Sequence, residues 1–175
     1  MNKKSTPRIS LLSFNTLGTP FFAPQITNRY KKITEIINAG TFDILCFQEV
    51  STYYHLILLK KYLPNYPFCA YKKFISGPKG GVVIFSKLPL EEINYTSYAN
   101  LGSFRNISFY TQFLRNGVLS CKINNTSLYI LNTHLITDFE FKRTDHNPFY
   151  NLVKLQVDEV AAVTNLYANG NNTVL

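Results

Sequence analysis

A chain of 175 residues with 46% hydrophobic side chains has the length and composition of one globular domain, expected to span 1–175. Its longest apolar runs, such as Ile9 to Phe14 and Val82 to Phe85, fall far short of the roughly 20 residues of a membrane span, so no transmembrane segment is expected. The net charge of +8 and pI near 9.4 suit a polyanionic partner: nucleic acid, an anionic membrane face or a phosphorylated substrate.

Six lysines and no acid lie between Ser51 and Leu90, but they are scattered singly or in pairs, and a solvated basic surface is the equally simple reading. The start "MNKKSTPRISLLSF" is basic, yet its apolar part is too short for a signal peptide. Cys46, Cys69 and Cys121 are odd in number and lack CxxC spacing, which argues against a disulfide framework or a zinc site and makes a reducing cytoplasm the expected location.

In chain order, Ile9 to Phe14 is a short β-leaning run. Gln25 to Asn38 carries Ile26, Tyr30, Ile33 and Ile37 at helical spacing and stops at Gly40. Asp43 to Phe47 reads as a buried strand. Ser51 is the expected cap of a second helix, with Tyr54, Leu58 and Tyr62 on one side and Pro64 closing it. Strand, helix, strand, helix is the order of a sheet covered by helices, an α/β or α+β fold. From Phe68 the pattern turns to strands with turn punctuation: "FCAYKKF", the loop "SGPKGG", "VVIFS", "EINYTSY", "ISFYTQF", "GVLSCKI" and "SLYILNTHL". A last helix is expected from about Pro148 to Ala168, ended by Asn169-Gly170, and "NNTVL" looks like the opening of another strand.

Three polar residues stand at the ends of apolar runs: Asn15 after "ISLLSF", Glu49 after "DILCFQ" and His134 after "LYILNT". In a layered sheet protein the C-terminal ends of several strands converge on one edge, where a ligand can reach them. Singly each has a plain explanation: a turn at Asn15, a solvated strand end at Glu49, a hydrogen-bonded structural ring at His134. Together they form a candidate site.

The stretches "SFNTLG", "DILCFQEV", "GGVVIFSKLPL" and "LNTHL", in this order, resemble the successive N-terminal motifs of the endonuclease/exonuclease/phosphatase superfamily from about Ile9 onward. The resemblance implies a four-layer α/β sandwich of the deoxyribonuclease-like type, incomplete at its C-terminus, with the site at one edge of two facing sheets. It implies a Mg²⁺-dependent phosphoester hydrolase (Mn²⁺ as a substitute), with Glu49 as a metal ligand, Asn15 supporting metal and phosphate, and His134 hydrogen-bonded to the scissile phosphate. Such enzymes continue with a "GDFN"-like and an "SDH"-like motif that activate the water. Thr144 to Phe149, "TDHNPF", mimics the second superficially, but it lies only about ten residues past His134 and is read as a loop and helix entry. The expected protein is therefore the N-terminal portion of such an enzyme, inactive by itself.

The spacing from "FLRNGVLSCKI" to "LNTHLITDFEF" is similar to the neutral sphingomyelinase branch, with Asn116-Gly117 in place of a Lys-Gly step. Phosphodiesters are preferred over phosphomonoesters, with a phospholipid or nucleic acid as substrate. Tyr98 to Phe113, aromatic around Arg105, suits peripheral contact with a lipid interface, or equally a hairpin whose aromatics pack inward. The non-enzymatic alternative is an inactive basic module that binds nucleic acid or an anionic membrane.

Overall fold

The computed structural model describes residues 8–18, 25–101, 115–136, 148–168 and 172–175. Along the chain these form β1 (Leu11–Asn15), α1 (Ile26–Ala39), β2 (Ile44–Gln48), α2 (Tyr53–Tyr62), β3 (Phe68–Ala70), a 3₁₀ turn (Lys79–Gly81), β4 (Val83–Ser86), β5 (Leu90–Ser97), β6 (Gly117–Ile123), β7 (Leu128–Thr133), α3 (Pro148–Ala168) and β8 (Asn172–Val174). Two four-stranded sheets result, ordered β1-β2-β4-β3 and β5-β6-β7-β8. In the first, β1 and β2 are parallel while β4 runs against both β2 and β3. In the second, β5, β6 and β7 form an antiparallel meander, and β8 pairs parallel with β7.

Strand alternation builds the layers. Along β2, Leu45 and Phe47 face α1 and α2, where they meet Tyr30, Ile37, Leu56 and Leu59; Ile44 and Cys46 face the other sheet. Along β4, Val83 and Phe85 join the helical side and Ile84 the sheet side. The second sheet sends Leu119, Cys121, Ile123 and Ile130 inward, while Val118, Tyr129 and Leu131 meet Val160 and Val163 of α3. Both faces of each sheet are thus covered, which is why β2 and β4 read as unbroken apolar runs. The sequence of layers is helix, sheet, sheet, helix, the fold expected from the resemblance. Burial between the sheets pushes the thiols of Cys46 and Cys121 up to about 12, far from reactive thiolates.

Most elements fall within one or two residues of expectation, and α3 coincides with it. Gly40 caps α1 with its N–H on the Ile37 carbonyl. The second helix differs. Its N-cap is Thr52, whose Oγ1 accepts from the His55 N–H at 3.2 Å, and not Ser51, whose hydroxyl bonds the Glu49 carbonyl. Its buried face is His55, Leu56, Leu58 and Leu59; of the three residues expected along one side, Leu58 is buried, Tyr62 half-buried and Tyr54 exposed. The run "FCAYKKF" holds a strand only over Phe68–Ala70, with one further bridge between Lys73 and Pro78. "ISFYTQF", Arg105 and Asp145-His146 lie outside the described residues. No helix among the described residues is long and apolar enough to cross a membrane.

Candidate active site at the strand ends

Asn15 ends β1, Glu49 follows β2 directly, and His134 follows β7 directly. Asn15 and Glu49 belong to one sheet and His134 to the other, and the fold brings all three together. Asn15 Nδ2 donates to Glu49 Oε1 at 2.7 Å. His134 Nε2 stands 3.7 Å from the same oxygen, too long for a hydrogen bond but close enough for charge attraction when the ring is protonated. Asn15 Oδ1 in turn accepts from the Leu17 N–H at 2.8 Å, which fixes the carboxamide orientation.

The backbone here is unusual. Glu49 has φ 58° and Leu17 φ 47°, left-handed conformations that non-glycine residues adopt at a cost and that cluster where a side chain must be re-aimed. Neighbouring main chain holds them: the Thr16 N–H and hydroxyl both donate to the Gln48 carbonyl at 2.9 Å, and the Val50 N–H donates to the Gly81 carbonyl at 2.8 Å. Tyr30 Oη donates to Thr16 Oγ1 at 2.9 Å, and Arg29 Nη2 to the Thr16 carbonyl at 2.7 Å, so α1 secures the loop after β1. Gly18 is required by close approach: a Cβ there would lie 2.1 Å from the Glu49 carbonyl oxygen.

The two sheets are joined just behind the site by Asn132. Buried on β7, it accepts from Gln48 Nε2 at 2.7 Å and donates from Nδ2 to the carbonyls of Phe47 at 2.9 Å and Val83 at 3.0 Å. Asn132 precedes His134 by two residues and Gln48 precedes Glu49 by one, so this clasp sets the spacing between the two halves of the site. Asn116 Nδ2 adds a bond to the His134 carbonyl at 3.1 Å, and Gln156 of α3 accepts from the Ile136 N–H at 3.0 Å. The sequence singled out neither Asn132 nor Gln48. The available signal was a carboxamide inside a buried apolar run, since a buried polar group needs partners.

Burial pushes the His134 imidazole below the ordinary histidine range, with the Glu49 charge acting in the opposite sense. His55, beside Gly18, is held down by burial and then by the Arg29 charge. The oxygen donors gathered at the edge, a carboxylate and a carboxamide, suit a hard cation that keeps most of its waters, as Mg²⁺ does. No group of three or more His, Cys, Asp or Glu residues that could hold a metal is assembled among the described residues. Tyr98, at the start of the stretch expected to contact lipid, is buried and pairs its hydroxyl with Thr133, so that aromatic packs inward.

Among known proteins, the chain is similar to the inositol phosphosphingolipids phospholipase C of Schizosaccharomyces pombe, 28% identical over 142 residues, 77% of this chain and 32% of that protein. It is similar to human sphingomyelin phosphodiesterase 2, 30% identical over 93 residues, 52% of this chain and 22% of that protein. The chain therefore spans a third or less of the length of these two relatives. The crystal structure of sphingomyelinase C from Streptomyces griseocarneus superposes with a TM-score of 0.67 at 17% identity, over 92% of this chain and 60% of that one, a likeness of fold. Residues 12–168 match the sequence model of the Endonuclease/Exonuclease/phosphatase family. With nearly the whole length matched and with its paired four-stranded sheets, the chain belongs to the endonuclease/exonuclease/phosphatase family.

Proposed function

We propose that these residues form the metal- and phosphate-binding half of a Mg²⁺-dependent phosphodiesterase acting on a phospholipid headgroup. One observation carries the proposal: Asn15 and His134, from different sheets, converge on a single carboxylate oxygen of Glu49. The names of the two curated relatives supply the preference for a sphingolipid diester.

In this reading Glu49 anchors the cation, and Mg²⁺, or Mn²⁺ in its place, supplies a Lewis acid that polarises a phosphoryl oxygen when bound. Asn15 orients the carboxylate through its 2.7 Å bond and adds no net charge. His134, held by Asn116 at the end of β7, presents Nε2–H to a non-bridging phosphate oxygen. None of the three residues takes the proton of the attacking water, so these 175 residues are expected to bind metal and phosphate while turning over slowly.

Calorimetric titration with Mg²⁺ tests the proposal. Wild-type protein and His134→Ala are expected to bind the ion, and Glu49→Gln to lose it; equal binding by Glu49→Gln would overturn the assignment. Release of phosphocholine from sphingomyelin vesicles, however slow, should vanish in His134→Ala. The net charge of +8 favours a second substrate, nucleic acid, and degradation of an oligonucleotide with no release from sphingomyelin would select it.

A further inference from the structure

The edge that carries Asn15 and Glu49 also carries the connection from β3 to β4. Because β4 runs against both β2 and β3, the C-terminal ends of β1, β2 and β3 share that edge. The connection is a built hairpin. The Lys79 N–H donates to the Lys72 carbonyl at 2.8 Å, the Phe74 N–H to the Gly77 carbonyl at 3.0 Å, and Lys73 bridges Pro78. Its tip is pinned to the start of α2. Tyr53 donates from its N–H to the Ser76 carbonyl at 3.0 Å and from its hydroxyl to the Phe74 carbonyl at 2.7 Å. Gly77 sits so close that a Cβ would lie 2.6 Å from the Ser51 carbonyl oxygen.

On this fixed tip Ile75 points outward and is 76% exposed, flanked by the exposed Lys72 and Lys73. A lone exposed aliphatic residue is ordinary on a protein surface. Here it crowns a hairpin held by four backbone-carbonyl bonds, at the rim of the site, beside the two exposed lysines in a stretch with no acid from Ser51 to Leu90. The other lysines of that stretch serve elsewhere: Lys60 and Lys61 lie in the last turn of α2, and Lys79 and Lys87 lie over the rings of Tyr95 and Tyr66. An aliphatic wedge beside two cations matches the acyl and headgroup zones of an anionic bilayer, whereas a nucleic-acid backbone rewards the lysines and has no use for the isoleucine.

We infer that the 72–79 hairpin is a docking tip for an anionic lipid surface, inserting Ile75 between headgroups and bringing the Glu49 edge to the bilayer. This deepens the phospholipid reading and rests on it for the nature of the surface, but its test needs no catalysis. The chain contains no tryptophan, so Ile75→Trp places a single reporter at the tip. Ile36→Trp is the control. It is 74% exposed near the end of α1, and Asn38 bonded to the Tyr62 carbonyl places that end away from the site.

In EDTA, phosphatidylcholine vesicles containing phosphatidylserine should shift the emission of Ile75→Trp to the blue and leave that of Ile36→Trp unchanged. Vesicles of phosphatidylcholine alone should shift it much less. In the Ile75→Trp background, Lys72→Ala and Lys73→Ala should each weaken partitioning about fivefold. Emission that stays at the water position with both vesicles, or equal shifts at positions 75 and 36, would overturn the inference. A response to an oligonucleotide but not to vesicles would overturn it in favour of nucleic acid. Loss of Mg²⁺ binding or of phosphodiesterase activity would leave the emission shift intact, so the two proposals fail separately.

Discussion

The two ends of the β1–β2 pair are built on opposite terms. At the far end the Asp43 carboxylate accepts from the Ser10 N–H and hydroxyl, both at 2.8 Å, and the Lys87 N–H donates to the Asp43 carbonyl at 2.9 Å. The bonds there are of ordinary geometry, and the result is a simple fastening of strand starts. At the site end, Leu17 and Glu49 occupy left-handed conformations and polar side chains crowd one carboxylate. The same parallel pair is thus stapled at one end and strained at the other, and the strain sits at the candidate site.

The comparison breaks most severely at Asn132. Asn132→Ala removes the side-chain donor to the Phe47 and Val83 carbonyls and leaves the Gln48 amide only its longer bonds to Ser13 and the Cys46 carbonyl, and is expected to lower unfolding free energy by about 3 kcal/mol, read from urea denaturation at constant m-value. A loss below about 1 kcal/mol, the scale of one ordinary hydrogen bond, would mean that the apolar inter-sheet core alone sets the packing.

Glu49→Gly sharpens the comparison in the other direction. Relief of the left-handed conformation should raise stability by about 1 kcal/mol while Mg²⁺ binding disappears. A destabilised variant would show that the side-chain contacts of Glu49 outweigh its backbone cost.

The smallest effect belongs to the far end. Hydrogen bonds from Ser10 hold the Asp43 carboxyl below its ordinary 3.8. The stability this lends is therefore complete above that value and is lost as pH falls through the lower folded value. Asp43→Asn should flatten this acid limb of the stability curve and leave Mg²⁺ affinity at neutral pH unchanged, as thermal melts across the acid range and calorimetry will register.

The layers were legible in the sequence because burial on both faces writes continuous apolar runs at β2 and β4 and because α3 has a long helical period. Asn15, Glu49 and His134 were legible for a related reason: each is a polar residue where such a run stops. What escaped depends on partners distant in sequence. Ser51 and Thr52 are both good capping residues, and the choice of Thr52 follows from the Ser51 hydroxyl turning back to the Glu49 carbonyl. Tyr54 shares one side of α2 with the buried Leu58 yet stays exposed, its hydroxyl reaching sideways to Thr27 of α1, a contact no local periodicity encodes. The Asn132 clasp joins residues 84 positions apart and has no local signature beyond a carboxamide in an apolar strand.

That clasp has a mechanical consequence. Its three bonds cross between sheets one or two residues short of Glu49 and His134, so it works as the rivet of a pair of pliers whose jaws are the two strand ends. The gap between the jaws is then set by the thickness of filling behind the rivet, where Cys46, Ile84, Leu119 and Cys121 meet. Exchanging those residues for larger or smaller ones is a way to reset the distance between Glu49 and His134 without altering either side chain.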